Sequence, residues 1–77
     1  MNWKKELATQ LKYGRESAGL TQADLARQLD LSRQMISRYE AGHDTPGLDI
    51  LIEIARMLDM EFRIRGVLIK FERAYKS

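Results

Sequence analysis

The sequence predicts a mainly α fold: four short helices in a compact bundle, followed by a C-terminal β-hairpin. Three observations predict it. Between Thr21 and Gly42 the chain reads TQADLARQLDLSRQMISRYEAG, two short amphipathic helices joined by a tight turn. On either side of this stretch the apolar residues keep the helical period of about 3.6. After Met60 the period falls to 2 over MEFRIRGVLIKFE, the pattern of two short strands.

Asn2 is an N-cap, and the helix it starts is expected to run to about Ala18, with Gly19 supplying the left-handed residue beyond its end. At about 100° per residue, Trp3, Leu7, Leu11 and Ala18 share a face. Arg15 falls beside that face, where a charge needs a partner. Thr21 caps the second helix, with Asp24 three residues on in a capping-box position. Leu25, Ala26 and Leu29 are its core positions, and Asp30 and Leu31 make the turn. Ser32 caps the third helix, expected to run to about Ala41. Its wheel divides into an apolar arc of Met35, Ile36 and Tyr39 and a polar arc of Arg33, Gln34, Ser37 and Arg38 closed by the small Ala41, with Glu40 on the boundary.

GHDTPG is the one stretch dense in turn residues. The fourth helix begins there, either with Thr45 as cap and Pro46 in its first turn or at Gly47, and runs to about Leu58. Its apolar arc is wide, taking in Leu48, Ile50, Leu51, Ile52, Ile54, Ala55, Met57 and Leu58, so it is expected to be covered on more than one side. In the hairpin, a turn at Arg65-Gly66 sets Ile64 opposite Val67, Phe62 opposite Ile69 and Met60 opposite Phe71, all on one face. Glu61 and Lys70 then pair on the other face. One domain is expected over 1–77, with the bundle at 2–59, the hairpin at 60–72 and a polar tail at 73–77.

Composition narrows the chemistry. The chain has no cysteine and one histidine, so a disulfide or a thiolate zinc site is excluded, and no metal or cofactor is expected. No serine–histidine–aspartate, cysteine–histidine or paired-carboxylate grouping is visible, and the chain is read as a non-enzyme. No apolar run is long enough to cross a bilayer, and the N-terminus lacks the apolar core of a signal peptide; a cytoplasmic setting, without a membrane partner, is expected. The net charge of +2 and a pI near 9.2 favour a polyanionic partner only weakly, so the placement of the charges has to decide.

That placement points to DNA. Arginine can bond bidentately to guanine and glutamine to adenine, so Arg33, Gln34 and Arg38, with the small Ser37 between them, are the candidate base readers. Gln22 at the start of the second helix, Ser32 at the start of the third and His43 just past it are the candidate phosphate contacts. Arg15 and Glu40, two boundary charges of opposite sign on different helices, are expected to form a partly buried ion pair.

These residues resemble the phage-repressor and Cro (XRE-type) helix-turn-helix family over about Leu7 to Met60. The resemblance is carried by Arg15, by Gly19-Leu20-Thr21-Gln22-Ala23-Asp24-Leu25-Ala26, by Ser32-Arg33-Gln34-Met35-Ile36-Ser37-Arg38-Tyr39-Glu40-Ala41-Gly42, and by Pro46 and Leu51 through Leu58. It implies a lambda-repressor-like bundle of about five helices, DNA contacts at Gln22, Ser32, Arg33, Gln34 and Arg38, and a buried pair at Arg15 and Glu40. It also implies a regulator of bacterial or phage type. Two departures stand out: Asp30 where many members have glycine, and MEFRIRGVLIKF where the family continues into a fifth helix.

The expected activity is binding to an operator, with repression by occlusion because one domain fills the 77 residues. A hairpin alone is marginal. Its apolar face either only caps the core of its own chain or meets another chain; a homodimer is expected, through the hairpin residues Phe62, Ile64, Val67 and Ile69 and the side of the fourth helix around Ile50, Ile54 and Met57. It would match a palindromic operator. The competing reading is an antitoxin-like or protein-binding module, using the same fold on a toxin or another protein.

Overall fold

The structure, a computed structural model, describes residues 2–71. The expected tail at 73–77 and the last residue of the expected hairpin lie outside the described residues. Helix α1 spans Trp3–Ser17, α2 Gln22–Leu29, α3 Arg33–Glu40 and α4 Leu48–Leu58. Strands β1 (Phe62–Ile64) and β2 (Val67–Ile69) follow as an antiparallel pair. Among the described residues there is no fifth helix; the hairpin stands where the family resemblance places one.

The helix ends are set by the residues read as caps. The Asn2 side chain accepts from the Lys4 amide at 3.0 Å. Thr21 and Asp24 close a full capping box: the Asp24 amide donates to Thr21 Oγ1 at 3.0 Å, and the Thr21 amide donates to Asp24 Oδ2 at 2.9 Å. These bonds, the one from the Thr21 backbone first, hold the Asp24 carboxyl below its ordinary range. Ser32 Oγ accepts from the Met35 amide at 3.1 Å. Asp30 takes the left-handed conformation between α2 and α3, at φ 58°. Helix α4 starts after Gly47 without a side-chain cap, so Thr45 is not its cap and Pro46, which is buried, lies before its first turn.

The core gathers Leu7 and Leu11 of α1, Leu25 and Ala26 of α2, Ile36 and Tyr39 of α3, Ile54 and Ala55 of α4, and Phe62 of β1. Helix α3 packs on α1 and α2, and β1 packs on α1. Several positions differ from the wheel reading. Trp3, the first residue of α1, and Ala18, its C-cap, are exposed. Met35 is exposed as well, because α1 and α2 cover only the arc of α3 centred on Ile36 and Tyr39.

The hairpin has the predicted register, with Phe62 opposite Ile69, Arg63 opposite Leu68 and Ile64 opposite Val67. Arg65 (φ 53°) and Gly66 (φ 81°) form the two-residue turn, the sign of φ that a tight hairpin requires. Pairing ends at Phe62 and Ile69, so Met60 and Phe71 are not a strand pair; the Phe71 ring instead meets Phe62 edge-on at 6.4 Å. Lys70 Nζ and Glu61 lie 3.7 Å apart, as the cross-strand reading requires.

The burial of these residues corrects the expected dimer surface. Phe62 and Ile54 are 1% exposed and belong to the core, so neither can meet another chain. Ile50, Met57 and Ile64 are half-buried against that core. Of the seven expected residues only Val67 and Ile69 are exposed.

The outer edge of β1 is closed by α1. The Gln10 side chain takes both outward groups of Arg63: its Oε1 accepts from the Arg63 amide at 2.8 Å and its Nε2 donates to the Arg63 carbonyl at 2.6 Å. Glu6 Oε1 accepts from the Arg65 amide at 2.7 Å. A glutamine amide thus substitutes for a neighbouring strand.

The two ends of the ribbon therefore differ in what they hold together. Phe62→Ala should cost about 3–5 kcal/mol, a large part of the roughly 4–12 kcal/mol expected of a domain this size. Val67→Ala should change stability by no more than about 0.5 kcal/mol. Urea unfolding of the two variants checks this.

Candidate nucleic-acid interface

Helix α3 presents the polar face that the wheel gives it, and of the apolar arc it buries Ile36 and Tyr39 but not Met35. Arg33, Gln34, Ser37 and Arg38 are all exposed. Ala41 is the C-cap and is exposed on the same side of the sequence pattern. Four side chains with the donors and acceptors of base recognition therefore project from two turns of one helix.

What holds that helix is a buried ion pair. Arg15 is 7% exposed, and the side chain of Glu40 is 4% exposed. Arg15 Nε donates to Glu40 Oε2 at 2.6 Å and Nη2 donates to Oε1 at 2.9 Å, a bidentate contact. Nη1 donates to the Leu20 carbonyl at 2.7 Å. The hydrogen bond to Glu40 raises the Arg15 pKa further above its ordinary value, so the guanidinium stays charged. The pair ties α1 to the last residue of α3, and through Leu20 to the entry of α2.

The network continues to the exposed face. Gln22 Nε2 donates to Glu40 Oε1 at 3.1 Å, and Gln22 Oε1 accepts from Arg33 Nη1 at 3.3 Å. Gln22, the first residue of α2, is half-buried, and its side chain is engaged inward; sequence periodicity gives no sign of this bridge. Ser32 caps α3 as read, and its exposed position lies next to Arg33. His43 is exposed, and its amide donates to the Arg38 carbonyl at 3.0 Å.

Arg38 has a partner that the sequence pattern does not reveal. Its Nε donates to Asp44 Oδ2 at 2.6 Å, and its Nη2 lies 3.4 Å from Oδ1. That hydrogen bond holds the Asp44 carboxyl below its ordinary range, with the charges of Arg38, His43 and Lys4 acting in the same direction. It also raises the Arg38 pKa. The usable signal would have been Gly42: a left-handed glycine (φ 79°) just after α3 turns the chain back toward the helix's last turn.

Among the described residues no group of three or more histidine, aspartate and glutamate side chains could hold a metal ion. No helix among them is long and apolar enough to cross a membrane.

Similarity to known proteins places the chain in a family. The HTH_3 helix-turn-helix family matches residues 11–64. The chain is 32% identical over 72 residues to endothelial differentiation-related factor 1 of Rattus norvegicus, a match that takes in 94% of this chain and 49% of the relative. It is 39% identical over 62 residues to the uncharacterized HTH-type transcriptional regulator y4dL of Sinorhizobium fredii, covering 79% of this chain and 32% of that one. The restriction-modification controller protein C.AhdI of Aeromonas hydrophila superposes with a TM-score of 0.69 at 28% identity, covering 75% of this chain and 88% of that chain. The chain belongs to the HTH_3 helix-turn-helix family, of the XRE type. It spans about half the length or less of the curated relatives it matches.

The buried pair generates a direct prediction. Arg15→Met and Glu40→Gln should each cost about 3–5 kcal/mol, because each leaves the other charge or its hydrogen-bonding partners buried and unpaired. The double variant should cost clearly less than the sum. Urea unfolding of all four proteins measures the coupling; losses that simply add would mean that the two side chains do not interact.

Proposed function

We propose that this chain is a sequence-specific, double-stranded DNA-binding transcriptional regulator that inserts α3 into the major groove. The observation that carries the reading is the exposed face of α3, where Arg33, Gln34, Ser37 and Arg38 stand on a helix locked from behind by the Arg15–Glu40 pair. Arg33, Gln34 and Arg38 read base edges, and Ser37 lets the backbone come close to the groove floor. Ser32, His43 and the N-terminal turn at Gln22 contact phosphates. Repression by occlusion of a promoter is the mode we assign.

The operator is palindromic because the regulator is a homodimer. The edge of β2, open among the described residues, supports this: Gln10 and Glu6 close the β1 edge, while Val67, Leu68 and Ile69 are all exposed. Leu68 is opposite Arg63, the residue whose backbone groups point away from the ribbon on the other side. In a two-residue hairpin the backbone of Leu68 therefore also points outward, and two copies of β2 can pair antiparallel about it. Such a pairing is tested by Leu68→Pro, which removes an outward amide without touching the β1–β2 ladder. Sedimentation should give a dimer for the parent chain and a monomer for the variant; a parent chain that stays monomeric with and without DNA would exclude the pairing.

A second reading, a protein-binding or antitoxin-like module, is favoured by one feature. An apolar hollow lined by Trp3, Leu48, Leu51, Ile64 and Ile69 lies between α1, α4 and the hairpin. Salt separates the two readings. DNA binding by the α3 face should weaken steeply as salt rises, with a log–log slope of about −0.9 per phosphate neutralised. Arg33→Ala or Arg38→Ala should flatten base preference at one defined position per half-site, by about 1–3 kcal/mol. DNA binding indifferent to salt and to both arginines would leave the protein-partner reading.

A further inference from the structure

The two arginines of the α3 face are restrained in different ways. Arg33 meets a neutral amide, Gln22 Oε1, at 3.3 Å. Arg38 meets a carboxylate at 2.6 Å, and that carboxylate is itself anchored to Arg38. The amides of both His43 and Asp44 donate to the Arg38 carbonyl, at 3.0 and 3.3 Å. The chain leaves α3, turns at Gly42, and brings Asp44 back over the residue it pairs with, by backbone and side chain together. Both side chains are 49% exposed, and a surface pair of this kind adds little to stability. Its consequence is geometric.

A guanidinium has five N–H bonds in a fixed plane. Asp44 occupies the Nε–H and lies on the adjoining side of Nη2. Both Nη1 hydrogens and the other Nη2 hydrogen remain. The opposite edge, one hydrogen from each Nη, is the pair that matches guanine O6 and N7. An arginine without this restraint can rotate to the nearest phosphate instead, where it adds affinity for any sequence.

We propose that Asp44 is a specificity-determining positioning residue: it fixes the Nε edge of Arg38 so that the Nη1–Nη2 edge faces a guanine. The proposal rests on the reading of α3 as the base-reading helix. A carboxylate next to the phosphate backbone is repelled by it, so Asp44 lowers affinity for DNA in general while sharpening the choice of base at one position. Asp44→Asn keeps the size of the side chain and its place in the turn and removes the charge.

The experiment is competition binding of the full chain to a panel of operators varied one base pair at a time, at several salt concentrations, for the parent, Asp44→Asn and Arg38→Ala. The parent should prefer guanine at the Arg38 position on the order of tenfold or more. Asp44→Asn should bring that position to within roughly threefold of equal and leave the other positions unchanged. It should also bind non-specific DNA more tightly than the parent, with a salt slope steeper by about one phosphate contact, since Arg38 is released to the backbone. Arg38→Ala should flatten the same position and lose affinity. If Arg38→Ala flattens a position that Asp44→Asn leaves intact, the role of Asp44 is overturned and base reading by α3 stands. If Asp44→Asn weakens all sequences equally, Asp44 is only structural and the proposal falls. If neither variant changes preference at any position, base reading by α3 falls and takes the proposal with it.

Discussion

A guanidinium and a carboxylate, both almost wholly withdrawn from water, fix the relation of the three N-terminal helices. Taking either charge out of water alone is costly, and only close, multiply hydrogen-bonded geometry offsets it. Arg15 and Glu40 meet that condition: two bonds join them, a third ties Arg15 to Leu20, and a fourth ties Glu40 to Gln22. An apolar contact between α1 and α3 would tolerate sliding or rotation by a fraction of a turn. A planar bidentate contact with saturated neighbours does not. The angle at which the α3 face leaves the protein therefore depends on it, and so does the orientation of Arg33, reached through Gln22.

Around that clamp, the fold divides its duties between its two halves. The central helices are short, at eight residues each for α2 and α3, and too short to be stable as isolated helices. Their side-chain caps and the packing of Leu25, Ala26, Ile36 and Tyr39 supply what propensity does not. Helix α4 and the hairpin close the core from the other side through Ile54 and Phe62. The hairpin is in turn held by α1, whose Gln10 and Glu6 satisfy the outward backbone groups of β1 and its turn. Among the described residues one edge is closed and one is open, an asymmetry that favours strand addition at β2.

Most of this was legible in the sequence where one element decides the outcome. Caps at Asn2, Thr21 and Ser32 are local, and so is the hairpin register, because a period of 2 around Arg65-Gly66 admits one alignment that keeps the apolar residues together. The Arg15–Glu40 pair was legible because each charge sits on the margin of an apolar arc. What failed depends on how elements dock. The wide arc of α4 does not say which part faces inward, so Ile54 reads as surface until Phe62 and the hairpin are placed. Val67 and Ile69 share the face of Phe62, yet β2 lies outside the part of the ribbon that α1 covers. In the candidate site, the side chains of α3 follow from periodicity, whereas Gln22 and Asp44 act across a turn or between helices. No period links Asp44 to Arg38; only the left-handed Gly42 does.

The proposed function requires that the α3 face read base sequence and that two copies do so together. Selection of bound fragments from a random pool of double-stranded DNA puts both requirements to the test. The expected product is a palindrome whose half-site centres lie about one DNA turn apart, ~34 Å or roughly 10 base pairs, with guanine enriched at defined positions in each half. Recovery of no common sequence, or of one that Arg33→Ala and Arg38→Ala select equally well, would contradict that function.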